Sequence, residues 1–327
     1  MILPGIIVCP VCEEKLTDHD VDAAHSGLVC RSCGTTYPVE NEIVDFRVSK
    51  AGSTAMGWSA ESFEQAHEIF QDWDSIYDWD EKRGIPREAS TYKYDRIKGR
   101  ILEQLRPRPG ACIFDLGCGN GYFLLDIRRR FSPTVPHLTY VGLDASRHNI
   151  ENFKKKLLPE GANDVHPILG TAERVPIASG TADVVVSSEV LEHIADKESA
   201  LKEVYRILVP GGTFLFTTPS RTAIRNWDIV LSPLRLARRL SQLRLRRKGA
   251  PGSFEELLFK SECEGMLSRI GFTSVESSCE QMLNDEVTLH LPKRLVDRYI
   301  ASTRAVERRS AAARNFFGLH IIGSARK

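Results

Sequence analysis

No stretch of the 327-residue chain comes near 18 consecutive apolar residues, which excludes a helical membrane span. Met1 to Val8 is apolar but has no basic flank and runs straight into Cys9-Pro-Val-Cys12. That is a poor export signal, and a cytoplasmic location is expected. Surplus charge is missing too: 44 Lys and Arg stand against 43 Asp and Glu, a net charge of +1. Bulk charge therefore gives no ground for expecting nucleic-acid binding. There is no internal repeat and no low-complexity tract. The composition is that of an ordinary globular protein, with a length suited to about two domains.

The even balance conceals local runs. Glu61 to Glu81 holds eight acids and no Lys or Arg. Arg235 to Lys248 holds seven bases and no acid, and Lys293 to the end holds nine bases and two acids. Solvated surface is the plainest reading of each.

A reducing compartment leaves the eight cysteines without a disulfide role. Four of them form two Cys-x-x-Cys pairs, Cys9 with Cys12 and Cys30 with Cys33, separated by 17 residues. Each pair makes a tight turn that aims two thiolates at one ion, and the spacing matches a structural Zn²⁺ site closed by four sulfurs. Gly34 suits the turn after Cys33. Zinc bonding supplies the folding energy that a 1–48 unit with a small core lacks. The remaining cysteines, Cys112, Cys118, Cys263 and Cys279, are scattered and read as small apolar residues.

Residues 49–94 read as a linker followed by helices, with Phe70, Trp73 and Tyr77 at helical spacing and Trp79 beside them. A further helix is expected over Tyr94–Leu105. From 95 to 327 the pattern alternates. Strands are expected at 111–116, 139–143, 165–169, 182–187, 212–217, 272–277 and 318–325, and helices at 121–131, 147–158, 197–208 and 254–270. Such alternation predicts an α/β fold with a doubly wound, mostly parallel seven-stranded Rossmann-like sheet, preceded by the small zinc ribbon. The long connections 218–253 and 278–317 are expected to shape the substrate side.

The first strand runs into Asp115-Leu-Gly117-Cys-Gly119-Asn-Gly121. Glycines let the backbone turn sharply and approach a ligand, and the helix that follows offers its N-terminus. The pattern is G-x-G-x-G, with Tyr122 where a nicotinamide-binding loop has its third glycine. The next strand ends at Asp144, where a carboxylate can accept both ribose hydroxyls of a nucleoside or cap the following helix. Further on stand Gly170-Thr171-Ala172-Glu173, then Ser187-Ser188-Glu189-Val-Leu-Glu192-His193, then Leu208-Val-Pro-Gly-Gly212.

In this order the motifs resemble class I S-adenosylmethionine (SAM) methyltransferases, most closely the group that includes ubiquinone and menaquinone biosynthesis enzymes. The resemblance covers about residues 95–275. Leu28 to Phe46, with Tyr37-Pro-Val, resembles the small zinc-ribbon protein that activates several tRNA and protein methyltransferases. The first resemblance implies that Asp115, Gly117 and Gly119 line the methionine part of SAM and that Asp144 binds the ribose. It also implies that Thr171, Ala172 and Glu173 flank the adenine, and that Ser188 and Glu189 sit beside the sulfonium. Thr171 departs from the family, which has an acid there.

SAM carries its own electrophile, so the protein must align an acceptor and exclude water. For a hydroxyl or carbon acid it must also supply a base. His193 is the candidate by type; its plain alternative is a histidine that packs locally. No Asn-Pro-Pro-Tyr or Asp-Pro-Pro-Tyr run follows the fourth strand, which argues against amide or exocyclic amine acceptors. A small-molecule or lipid-like acceptor, O- or C-methylated, is expected. The alternatives are an RNA or protein methyltransferase that uses the ribbon and basic runs for recognition, and a binding module with a vestigial SAM domain. The basic, leucine-rich segment 231–248 can lie on an anionic membrane, or bind an anionic carrier or nucleic acid.

Overall fold

The computed structural model describes residues 5–16, 21–22, 27–47, 80–157, 159, 161–240 and 255–327. The expected linker, the aromatic residues Phe70, Trp73, Tyr77 and Trp79, residues 241–254 and the side chains of 234–240 lie outside the described residues.

A small antiparallel sheet comes first: β1 (Val21–Asp22), β2 (Gly27–Val29), β3 (Thr36–Glu40) and β4 (Ile43–Val44). The larger sheet has seven strands: β5 (Cys112–Leu116), β6 (Thr139–Asp144), β7 (Val165–Leu169), β8 (Ala182–Ser188), β9 (Leu208–Pro219), β10 (Thr273–Glu280) and β11 (His320–Arg326). Their spatial order is β10-β11-β9-β8-β5-β6-β7. All neighbours among β5 to β9 pair in parallel, while β11 is antiparallel to both β9 and β10. Order reverses between β5 and β8, where the chain winds off in both directions, and a crevice opens at the strands' carboxyl ends at such a switch point. The central strands are buried on both faces, which is why β5 (Cys-Ile-Phe-Asp-Leu) and β8 read as near-continuous apolar runs.

Several boundaries differ from the sequence expectation. The helix expected from Tyr94 is α1 (Arg87–Gln104), which starts directly after Pro86. The strand expected from 212 begins at Leu208. The helix expected from 254 begins at Lys260, because the preceding segment is drawn into backbone pairing: Glu256 N donates to Glu192 O at 2.8 Å and Arg221 N to Leu258 O at 2.9 Å. The helices facing the sheet are α2 (Tyr122–Phe131), α3 (Arg147–Leu157), α4 (Lys197–Ile207) and, beyond α5 (Arg221–Leu240), α6 (Lys260–Ile270). The connection before β11 folds as α7 (Asp285–His290), α8 (Lys293–Arg309) and α9 (Ala311–Phe317).

The ribbon is no separate bead. Ile7, Leu16, Leu28, Tyr37 and Phe46 belong to one hydrophobic cluster with Ile168, Val175 and Ile177 of the larger sheet's edge. Phe46 N donates to Leu169 O at 3.0 Å, Val8 N to Pro176 O at 3.1 Å and Ala178 N to Ile6 O at 2.9 Å. The ribbon thus covers the β7 edge, which would otherwise present unpaired backbone groups.

Candidate active site

The glycine loop bends through three left-handed residues, Gly117 (φ 74°), Gly119 (φ 55°) and Gly121 (φ 78°). At two of them space is lacking as well. A Cβ on Gly117 would come within 2.4 Å of Val190, and one on Gly121 within 2.0 Å of Phe153. Only glycine serves there.

Asp144 ends β6 and is 7% exposed. Its Oδ2 accepts from Gly119 N at 2.8 Å, and its Oδ1 from Ser146 N at 2.9 Å and Asn149 Nδ2 at 3.2 Å. The capping hydroxyl of α3 is Ser146's, bonded by Asn149 N at 3.2 Å. Asp144 instead clasps the glycine loop to the neighbouring strand end. Oδ1 is thereby filled, and Oδ2 keeps lone-pair capacity for a ligand hydroxyl.

Asp115 lies beneath the loop, 2% exposed. Burial pushes its pKa up to about 7, against the opposing pull of Lys98 and with Asp144 adding to the rise. Lys98, from α1, has its own pKa lowered by burial, with Asp115, Glu189 and Asp126 working against that. Its ammonium sits 4.8 Å from the Phe123 ring centroid. Across the sheet edge, Glu173 is likewise pushed up to about 7 by burial, and the Thr171 hydroxyl bonds its carboxylate. Thr171, Ala172 and Glu173 occupy the turn just after β7, half-buried.

Ser188 ends β8, its hydroxyl 3.1 Å from that of Thr217. Glu189 follows in a left-handed conformation (φ 60°), its N–H donating to Thr217 O at 3.0 Å. His320 Nε2 lies 3.0 Å from Glu189 Oε2. His193 stands on a short 3-10 turn, Leu191–His193, 3.8 Å from Glu192 Oε1. Glu192 is buried and accepts from Thr218 Oγ1 at 2.9 Å; burial, with the Glu189 charge, raises its pKa well above the usual range.

Asp115, Gly117, Gly119, Asp144, Ser188 and Glu189 thus gather at the carboxyl ends of β5, β6 and β8, with Thr171 to Glu173 after β7. Sequence reasoning missed Lys98, Thr217, Gln281 and His320. For His320 a signal existed: the first residue of a final antiparallel strand falls at the carboxyl edge of its parallel neighbours. Lys98 had none, because only packing carries α1 across that edge. A groove of about 580 Å³ lined by Arg87, Thr91, Ile300 and Arg304 holds none of the expected site residues.

In the ribbon, the sulfurs of Cys9, Cys12, Cys30 and Cys33 all lie within 4.8 Å of one another. Cys9 to Cys33 is 3.6 Å and Cys12 to Cys30 is 3.5 Å, close to the ~3.8 Å that a tetrahedron with Zn–S bonds of about 2.3 Å requires. The Tyr37 hydroxyl stands 2.9 Å from Cys9 Sγ and the Thr35 hydroxyl 3.1 Å from Cys33 Sγ, as outer partners that orient thiolate ligands. The site fits zinc, and four sulfurs leave no position for a catalytic water.

Residues 114–216 match the methyltransferase domain family, and residues 5–42 match the Trm112p-like proteins. Among curated relatives, dimethylglycine N-methyltransferase of Parasynechococcus marenigrum is 33% identical over 51% of this chain and 61% of its own. Demethylmenaquinone methyltransferase of Lactococcus lactis is 30% identical over 46% of this chain and 56% of its own. The chain spans 40 to 61% of the length of these and of a Streptomyces fradiae transposon protein. Among solved structures, a complex of the Haloferax volcanii Trm112 methyltransferase activator with a methyltransferase aligns at TM-score 0.48 and 19% identity, over 78% of this chain and 99% of that one. The chain thus carries a segment that matches the Trm112p-like family, residues 5–42, ahead of one that matches the methyltransferase domain family, residues 114–216.

Proposed function

We infer that this protein transfers the methyl group of SAM to a small-molecule or lipid-like acceptor, with O- or C-methylation favoured. The observation that carries the reading is Asp144, clasped to Gly119 N at 2.8 Å at the switch point of a doubly wound sheet. A carboxylate and a bent glycine loop meet there, the pair of groups that suits a nucleoside with a short charged tail. The relatives' names support a small acceptor: they include a demethylmenaquinone methyltransferase and ubiquinone O-methyltransferases.

SAM, when bound, supplies an activated methyl on a positively charged sulfur. This chain's residues do the rest. Asp144 accepts from the ribose, and Thr171, Ala172 and Glu173 flank the base. Gly117 and Gly119 let the backbone approach the methionine part, with Asp115 and Lys98 setting the charge below it. Ser188 and Glu189 border the reacting centre. His193 remains a candidate base, its ring half-exposed beside buried Glu192. In the ribbon, Cys9, Cys12, Cys30 and Cys33 would hold zinc in a purely structural role.

The alternative, an RNA or protein methyltransferase that uses the ribbon and the basic segments for recognition, is not better supported: the ribbon's apolar face lies on the β7 edge. Titration calorimetry with SAM and S-adenosylhomocysteine tests the cofactor site. Mass spectrometry of a gene-deleted extract supplied with protein and SAM tests the acceptor, read as metabolites that gain one methylene mass. Absence of SAM binding to folded protein would overturn the reading. Methyl incorporation confined to an RNase-sensitive fraction would overturn the small-molecule part.

A further inference from the structure

Three side chains from the ends of three strands form one chain at the carboxyl edge. His320, the first residue of β11, places Nε2 at 3.0 Å from Glu189 Oε2 and Nδ1 at 3.2 Å from Gln281 Oε1. Gln281 Nε2 donates to the Leu283 carbonyl at 2.8 Å. A carbonyl only accepts, so the amide nitrogen faces Leu283 and the amide oxygen faces His320. Nδ1 therefore carries a proton. An ionised carboxylate also only accepts, so a second proton lies between Nε2 and Oε2. Two of the three members hold left-handed backbones, Glu189 (φ 60°) and Gln281 (φ 63°), a conformation non-glycine residues keep only where the surroundings impose it. The other Glu189 oxygen, Oε1, is buried and has no hydrogen-bond partner among the described residues. A buried acceptor left open in an otherwise paired site is a place for a ligand's donor.

We propose that Gln281, His320 and Glu189 form the proton-accepting arm of the acceptor site: Glu189 Oε1 receives the proton of a hydroxyl acceptor, and His320 acts through Glu189 as a positioning residue. This rests on the methyltransferase reading and narrows its acceptor class. In the step, a lone pair of the acceptor oxygen bonds to the methyl carbon. The carbon–sulfur bond breaks with its electron pair going to sulfur, which becomes a neutral thioether. The hydroxyl proton passes to Glu189 Oε1 and leaves to solvent after product release. The cation of SAM and the anion of Glu189 are discharged together. A tertiary amine or thioether acceptor has no proton to give and would leave Oε1 unfilled.

The charges around the arm are Lys98 from α1 and Glu192 from the turn after β8, and Glu280, which faces His320 across the β10–β11 ladder. Glu280 is itself held by Arg96 from α1 and by Arg314 from α9. Burial works to raise the pKa of Glu189, but the charge and hydrogen bond of His320 outweigh it and hold the group low, with help from Thr217 and Lys98. Without His320, burial works against only Thr217 and Lys98, and the Glu189 midpoint moves up.

The test uses full-length protein labelled with ¹³C-carboxyl glutamate and saturated with S-adenosylhomocysteine, with Glu189 assigned through Glu189→Gln. In the parent protein at pH 7, Glu189 is ionised, and phenol shifts its signal where anisole, which lacks the donor, does not. In His320→Ala the Glu189 midpoint moves up by about one pH unit or more, and phenol binding measured between the parent and variant midpoints falls severalfold. Phenol binding returns above the new midpoint. His320→Gln keeps a neutral N–H donor and serves if the alanine variant folds poorly; it shifts the midpoint the same way by less. A residue that only packs would weaken binding equally at all pH values. Glu189 titrating alike with and without His320, or phenol and anisole acting alike, overturns the arm. Failure of the parent protein to bind S-adenosylhomocysteine overturns the methyltransferase reading instead, and calorimetry separates the two.

Discussion

Asp144 serves two partners with one carboxylate. It fixes the glycine loop through Gly119 N and, in the proposed function, offers the remaining lone pair of Oδ2 to a nucleoside. Asp144→Ala should weaken SAM binding by about 2 kcal/mol, the loss of charge-assisted hydrogen bonds, and calorimetry with the folded variant checks it. Asp115 makes a different prediction. Burial raises its pKa to about 7 from the ordinary carboxylate value of 3.8, so between those values the folded state holds a proton that the unfolded state has lost. Stability should therefore fall as pH rises from about 4 to 7. Asp115→Asn should flatten that slope, read from urea unfolding at pH 5 and pH 7. An unchanged slope would mean that the burial of Asp115 does not govern its ionisation. Among the site residues, those at the carboxyl ends of the parallel strands β5, β6 and β8 were legible, because the motifs that follow those strands stand out in the sequence. Lys98 and Gln281 were not, since each reaches the site by the packing of a separate element.

Between elements, the ribbon and the cofactor edge share contacts. Arg47 Nη1 donates to Ala145 O at 3.1 Å, one residue beyond Asp144, and Arg47 is held by Asp45 at 2.7 Å. Phe46 bonds Leu169, just before the Gly170–Glu173 turn. Loosening the ribbon should loosen both the ribose and the adenine side of the site. Cys30→Ser is accordingly expected to lower SAM affinity about tenfold, and Arg47→Ala to lower it less while metal content, read by elemental analysis, stays unchanged. Unaltered SAM binding in metal-free Cys30→Ser would show that the shared contacts carry no coupling. From the sequence, the two units read as independent, because a Cys-x-x-Cys pattern encodes a metal site and says nothing of what its apolar back covers. The seven large strands were legible from their apolar runs. The helices at 285–317 were read only as a long connection, although Lys293–Arg309 is amphipathic, with Val296, Ile300 and Thr303 buried along one face.

Across the whole molecule, α1 is tied to the C-terminal helices by a buried polar knot. Tyr92 donates to Glu307, which also accepts from Met282 N at 2.7 Å. Arg96 lies between Glu307, at 3.0 Å, and Glu280. Both carboxylates are almost fully buried, at 1% and 3%. Removing the guanidinium they share leaves Glu307 without its cation and Glu280 with only Arg100 and Arg314, each at 3.8 Å, and Arg96→Ala should cost about 3 kcal/mol of stability. Chemical denaturation measures it, and a cost under about 1 kcal/mol would show the knot to be solvated in practice. The acidic run 61–81 and the basic run 235–248 lie largely outside the described residues, while the basic run 293–327 lies within them. Among the described residues, no helix is long and apolar enough to cross a membrane.

The covered β7 edge also has a consequence for biosynthesis. Val8 and Phe46 find their partners at Pro176 and Leu169, far along the chain, so the ribbon leaves the ribosome well before the strand it docks on. During that interval its apolar back has nothing of its own to lie against. Metal loading in that window would hold the nascent ribbon compact until the edge emerges. Once docked, the two halves of the pairing are always present in equal number and cannot be separated by dilution.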